Sequence, residues 1–295
     1  MSGHVIPSPA ETTVSVVIPV GSSVDRLSEQ LDALTNQSYE GPRDLIVSCN
    51  GVSVHDVEPL LASVRAHGWT ARTVDSSSVR GPSHARNVGW RAAHSELILF
   101  CDDDDLVEMH WMAAMVEALA SDDIVGGALE LSRLNTAAAA AVFGSGPEGL
   151  PTKFSYLPFS PSCNLALRRS VLVALDGFDE DLLCGEDIDL CWRAAQSGNV
   201  LRFAPQAIVH YRLRASVRAV YEQARDYGRD DIHLLQKHRA AGAVWTTRDS
   251  AREVLSAARA LLVSPLSSAA RLRAAARSGA VIGRLQGRRR MAPVD

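Results

Sequence analysis

Four consecutive aspartates, Asp102, Asp103, Asp104 and Asp105, follow the apolar run ELILFC with no turn residue between. Adjacent carboxylates repel one another, and a bound cation relieves that cost. In a chain still extended at a strand end, residues i and i+2 point to the same side, so Asp102 and Asp104 converge on one ion. Ligands that are all oxygen suit magnesium or manganese. Asp105 reads as the cap of the helix that follows. A second acidic run stands in GEDIDLCWR, where Glu186, Asp187 and Asp189 open a helix. A helix dipole favours acids there, yet three carboxylates in four positions exceed what capping needs. Glu186 and Asp189 share a face, while Asp187 is rotated away from them, toward a cleft. A general base needs reach to its proton and a pKa raised above the carboxylate value of about 3.9, which burial and neighbouring carboxylates provide. His210, at the end of an extended run beside Tyr211, is a third candidate, weighed against a satisfied core histidine.

These groups need elements to place them. The β-branched run at 14–20 and the apolar run at 44–49 read as buried strands, and Leu27, Leu31 and Leu34 draw one stripe along a helix over 25–37 between them. The alternation continues with a helix at 54–67, a strand at 70–74, a helix at 83–93 and a strand at 96–101. Strands alternating with helices make an α/β fold with a mostly parallel sheet, whose ligands bind outside the carboxyl ends of the strands. Beyond it the pattern predicts a helix at 108–121, a strand at 124–131, an extended stretch at 162–167, a helix at 186–196 and two strands at 200–203 and 207–211. The Ala- and Gly-rich segment 135–149 reads as a mobile loop over the site, and the chain is helical from 216 onward.

With 295 residues, 46% of them hydrophobic, the chain buries a sizeable core without disulfides. A net charge of -4 excludes a surface devoted to nucleic acid. Five cysteines without a C-x-x-C pair suggest neither a zinc site nor a disulfide framework, and the residues present show no signal sequence or membrane span, so a cytoplasmic location is expected. Dinucleotide and Walker-type phosphate motifs are missing. The aspartates lack the helical spacing of a prenyl synthase, and Pro19 and Val20 stand where a haloacid-type phosphatase needs its nucleophile. Residues 251–295 carry nine Arg and no Lys against Glu253 and Asp295. On a continuous helix Arg273, Arg277, Arg284 and Arg288 share a face, consistent with attraction to an anionic membrane surface at the inner face of the membrane or to an acidic partner. Gly279, Gly283 and Gly287, at four-residue spacing, carry little weight in so charged a segment.

VSVVIPV, GPSHARNVGWRAA, LILFCDDDD, FSPSCNLALRRSVLVALDGFDEDL and GEDIDLCWRAAQSGNVLRFAP, in that order and spacing, resemble the family 2 glycosyltransferases over residues 14–212. The resemblance implies a GT-A fold over 14–215, with a nucleotide-binding half at 14–105 and an acceptor half at 106–215. An N-terminal tail at 1–13 and a helical extension with its basic tail at 216–295 flank that domain. It implies an inverting, metal-dependent, non-processive transfer from a nucleotide-diphosphate sugar, with a UDP-sugar as the expected donor and a glycan, lipid carrier or small molecule as acceptor. Asp187 falls on the family's catalytic base. Pro19, Asn50, Arg86, Asn87, Asp102 and Asp103 fall on the donor side, and Asn164, Glu186 and Trp192 on the acceptor side. Asp102, Asp104 and His210 fall on the shell of a Mn or Mg ion.

Two departures from the pattern stand out. Val20-Gly21-Ser22 replaces the usual aromatic and Asn, and Ser48-Cys49-Asn50-Gly51 lacks the Asp that helps hold the base; Asn50 can still hydrogen-bond a base edge. The Q-x-x-R-W motif of polysaccharide synthases is missing. A non-catalytic nucleotide-sugar or glycan-binding protein on the same scaffold, and a nucleotidyltransferase, stand as alternatives.

Overall fold

The computed structural model describes residues 12–21, 23–143 and 149–290. Its centre is an eight-stranded sheet in the order β3-β2-β1-β4-β7-β6-β8-β5. β1 (Val14–Val20) lies between β2 (Arg43–Cys49) and β4 (Leu97–Phe100), β2 pairs with β3 (Thr70–Asp75), and all three pairings are parallel. β7 (Leu165–Arg168) runs antiparallel between β4 and β6 (Ile124–Glu130), and β6 is parallel to β8 (Leu201–His210). The short β5 (Leu106–Val107) closes the far edge, antiparallel to β8.

Alternation along β1 decides what lies on each face of the sheet. Val14, Val16, Ile18 and Val20 pack on Leu27, Leu31 and Leu34 of α1 (Leu27–Thr35) and on Leu61 and Val64. Val17 points the other way, with Ile98, Phe100 and Leu167, under Trp90 of α4 (Pro82–Ala92). The β-α-β reading of the first hundred residues is therefore realised with both sheet faces covered.

Five expected elements take a different form. The helix at 54–67 is split into α2 (Val54–Val57), a 3-10 turn (Glu58–Leu60) and α3 (Leu61–Ala66), because Pro59 has no N–H to continue the ladder. The stretch at 162–167 begins as a 3-10 turn (Ser162–Asn164) before β7. The strands at 200–203 and 207–211 are one strand with a bulge opposite Gly127 and Ala128, at the place where Pro205 cannot donate. The expected mobile loop at 135–149 carries α6 (Ala137–Phe143), whose Ala139 is buried against Val220, Leu272 and Ala275. An alanine run is a strong helix former and needs only a surface to pack on; the part at 144–148 lies outside the described residues.

Helices α5 (Trp111–Leu119), α7 (Arg169–Leu175) and α8 (Glu186–Gln196) complete the sheet's covering. After β8 come α9 (Val217–His238), α10 (Thr247–Val263) and α11 (Ser268–Arg290). The glycines given little weight are the seam between α9 and α11. A Cβ at Gly279, Gly283 or Gly287 would run into the backbone carbonyls of Tyr221, Arg225 and Arg229, and one at Gly228 into that of Ala280. The expected basic face is divided, with Arg277 and Arg288 exposed and Arg273 and Arg284 partly covered. Arg284 pairs with Asp231 at 2.6 Å and with Glu253 and lies over Trp245, while Arg273 donates to the Ala141 carbonyl at 3.2 Å. No helix of the described residues is long and apolar enough to cross a membrane.

Candidate active site

The parallel strands β1, β2 and β4 end on one edge, and a cleft of about 520 Å³ opens there, within the usual range for a small-molecule site. Pro19 and Val20 at the end of β1, Gly21 just past it and Asn50 after β2 form one wall; Arg80, Gly81 and Arg86 around the start of α4 form another; Asp102, Asp103, Asp104 and Arg214 complete it. Gly51, at φ +122°, lets the β2 end lie against the Gly21 carbonyl, a space that a Cβ would fill. Buried Gln30 clamps both ends of the acidic turn, donating to the Asp102 carbonyl and accepting from the Val107 amide, each at 3.0 Å.

Negative charge in this turn is only partly matched. Burial and the charges of Asp102 and Asp104 push Asp103 up to about 7, and burial with Asp102 raises Asp104. Arg214 stands 3.7 Å from Asp104. The guanidinium of Arg86 is almost wholly buried and donates to Asp102 and to Glu186, both at 2.8 Å. Burial opposes its charge, yet those two carboxylates push its pKa up, so the bridge is ionic. One arginine thus joins the two acidic runs, which stand far apart in the sequence.

The three carboxylates of the second run part company. Glu186 is held by Arg86, and burial with the charge of Asp187 lifts it to about 7. Asp187 accepts from the Ser162 amide at 3.1 Å and from the Ile188 amide at 2.8 Å, and burial raises its pKa against the pull of Arg86. Asp189 is fully buried and meets two cations, Arg193 at 2.6 Å and Lys237 at 2.7 Å, and the His238 ring at 2.8 Å. Burial would raise it, but these partners hold it at about 2. Since Lys237 and His238 belong to α9, Asp189 fastens α9 to α8.

Of the residues expected from the sequence, Pro19, Asn50, Arg86, Asp102, Asp103 and Asp104 line the cleft. The Asn50 amide is nevertheless engaged, donating to the carbonyls of Ser76 and Val79 and accepting from the Gly81 amide, so it shapes the 76–81 loop and has no donor left for a base edge. Asn87 lies behind the cleft wall, bonded to both backbone groups of Phe178 and to Glu180 and Trp90. Asn164, wholly buried, holds the carbonyls of Ala128 and Ala207 and the Trp111 indole. Trp192 is a core side chain whose N–H donates to the Leu157 carbonyl. His210 has both ring nitrogens engaged, Nδ1 with Glu130 at 2.8 Å and Nε2 with Arg133 at 2.9 Å, away from the cleft. Gln30, Arg80 and Arg214 were not foreseen, and neither was Tyr227 of α9. Tyr227 is half exposed, and burial together with the charges of Asp187, Cys184 and Glu186 raises its phenol.

The carboxylates in the cleft fit a hard divalent cation. Asp102, Asp105 and Cys163 bring ligand atoms within 4.8 Å of one another. Burial pushes the Cys163 thiol far up, so it stays protonated and is a poor partner for such an ion. Asp105 is not a helix cap: it is buried, accepts from the Arg212 amide at 2.7 Å through one oxygen and has its other oxygen unpartnered. The oxygens that face the cleft are those of Asp102, Asp103 and Asp104.

A family model described as glycosyltransferase like family 2 matches residues 9–227. The chain belongs to the family 2 glycosyltransferases. It is 26% identical over 240 residues to the pre-mycofactocin glycosyltransferase of Mycobacterium tuberculosis (strain H37Rv), covering 78% of this chain and 49% of that protein. It is 24% identical over 198 residues to glycosyltransferase AglE of Haloferax volcanii, covering 66% of this chain and 65% of that one. The chain thus spans about half the length of the mycobacterial relative. Among solved structures it resembles the mannosyltransferase PcManGT from Pyrobaculum calidifontis in complex with GDP-Man and Mn2+, with a TM-score of 0.64 at 17% identity over 97% of this chain and 90% of that one. It also resembles S. aureus TarS 1-349 in complex with UDP-GlcNAc, with a TM-score of 0.54 at 15% identity over 94% of this chain and 92% of that one. These likenesses establish the fold of this family 2 chain as GT-A.

Proposed function

We propose that the chain transfers a sugar from a nucleotide-diphosphate sugar to an acceptor hydroxyl, with inversion, one sugar per encounter. The observation that carries this reading is the Arg86 bridge, which brings Asp102 of the cleft and Glu186, the neighbour of Asp187, onto one guanidinium at 2.8 Å each. A direct displacement needs a leaving group on one side of the anomeric carbon and a base on the other. Arg80 and Arg214 are suited to the diphosphate, as cations on the cleft wall. Asp187 is suited to the base role, since its two amide contacts fix the carboxylate and its raised pKa improves it as a proton acceptor from the attacking hydroxyl. Asp102 and Asp104 would hold a divalent cation, which supplies charge stabilisation to the departing diphosphate. The pairing of GDP-Man and UDP-GlcNAc with this fold in PcManGT and TarS supports a nucleotide sugar as donor. The charges of Asp187 and Glu186 reach the Tyr227 phenol, which makes its ring a candidate to stack on the acceptor sugar.

The test is release of nucleoside diphosphate from a panel of UDP-, GDP-, dTDP- and CDP-sugars, with manganese and with chelator. One sugar nucleotide turns over, and only with metal. In the Asp187→Asn variant, turnover with acceptor falls by about 10²–10⁴, the range for loss of a general base, while nucleotide affinity holds within about threefold. Undiminished turnover in that variant removes Asp187 from its role. Nucleotide binding without turnover of any sugar nucleotide would favour a non-catalytic binding protein.

A further inference from the structure

Helix α10 is amphipathic in the unusual sense. The face it turns to α11 is alanine, with Ala257 and Ala260 buried, whereas its large apolar side chains look outward. Val254, Leu255, Leu261 and Leu262 are exposed, and the following 3-10 turn adds Leu266; Leu262 is 82% and Leu266 80% accessible. The spacing of 254, 255, 258, 261 and 262 draws one continuous stripe along the helix, not scattered single residues. A patch of this kind marks an interaction surface.

Charge selects the partner. Arg248, Arg252 and Arg259, at intervals of four and seven, follow one edge of the stripe, and Arg271 lies just past the turn; all four are exposed. Among the described residues Arg248, Arg259 and Arg271 meet no carboxylate, and Arg252 has only the nearby charge of Asp249, one turn before it. The one acidic residue from 251 to 290, Glu253, is taken up by Arg284. An apolar stripe edged by exposed arginines in excess of the nearby acids is the pattern that seats in the boundary between headgroups and acyl chains of an anionic bilayer. A second copy of the chain fits it less well, because a two-fold contact along the stripe sets like charges against like. We infer that the outer face of α10 and its turn to α11 docks this protein on an anionic phospholipid surface. This rests on exposure and charge in the helical extension, independently of the donor chemistry.

The experiment is co-sedimentation of the full chain with vesicles of phosphatidylcholine alone or with about 30 mol % phosphatidylglycerol, at low and high salt. The protein partitions onto the anionic vesicles, and high salt weakens the binding. Leu262→Glu with Leu266→Glu lowers partitioning at least about tenfold, since each apolar side chain is replaced by a charge of the wrong sign. Arg252→Gln with Arg259→Gln lowers it by about fivefold per arginine, and sugar-nucleotide turnover in solution is unchanged in both variants. Absence of binding to anionic vesicles overturns the inference, as does wild-type binding by the leucine variant. A dimer in light scattering that the leucine variant dissolves, with vesicles ignored, would assign the face to a second copy.

Discussion

Asp103 and Asp189 are both half-hidden or buried acids near the carboxyl edge of the same sheet, and they are treated in opposite ways. Asp189 is met by Arg193, Lys237 and His238 and held at about 2. Asp103 shares its turn with Asp102 and Asp104, and it is pushed up to about 7. Two cations and a hydrogen-bonded histidine around one carboxylate complete its charge and leave nothing for a ligand, so Asp189 is architecture. A row of carboxylates short of cations is a site prepared for positive charge from outside. The excess charge, not the number of acids, distinguishes a binding cleft from a fastening.

The comparison breaks most visibly at Asp189. Asp189→Asn takes the buried charge from Arg193, Lys237 and His238 and removes the fastening between α8 and α9, so stability falls by about 3–5 kcal/mol, read as a lower urea midpoint. A neutral result would mean that α9 is held elsewhere.

A smaller effect separates the two acids by pH. The folded pKa of Asp189, about 2, is below its ordinary 3.8, so its contribution is present above pH 3.8 and is lost as pH falls through 2. Asp103 has the opposite sign. Its folded value of about 7 exceeds the ordinary 3.8, so stability is fully present below 3.8 and is lost as pH rises through 7. Asp103→Asn therefore raises the Tm of the metal-free protein at pH 8 by an amount equivalent to about 1–2 kcal/mol, after solvent screening is allowed for, and leaves it unchanged near pH 4. The same gain at both pH values would contradict the assignment.

The smallest effect is expected at His210. Both of its nitrogens are engaged by Glu130 and Arg133, so His210→Gln shifts the affinity for manganese by less than about twofold. A tenfold loss would return this histidine to the metal shell and require its two partners to release it.

How much of this was legible in the sequence follows the range of the forces involved. The acidic turn was legible because ELILFC is a buried strand and the aspartates follow it directly, so a local pattern fixes their position. The strand, helix and strand at 14–49 were legible through the stripe of Leu27, Leu31 and Leu34. The roles of Asn87 and Asn164 were not, since their amides are satisfied by Phe178 and Glu180 and by Ala128 and Ala207, groups that only the tertiary fold brings near. Gln30 was hidden for the same reason: on the helix it is one polar residue, and only the packed turn makes it a clamp. The glycines of α11 were misjudged because their value lies in the backbone of α9 that they admit, which no pattern within α11 displays.

The most direct test of the central claim, that the under-matched carboxylates receive a cation and a nucleotide diphosphate together, is calorimetric titration of UDP, GDP, dTDP and CDP into the wild type and Asp104→Asn. Each titration is run with manganese and with chelator. One nucleotide binds the wild type, chelator weakens it at least about tenfold, and Asp104→Asn removes most of that metal dependence. Equal binding with metal and with chelator, or full metal dependence retained by Asp104→Asn, would contradict the claim.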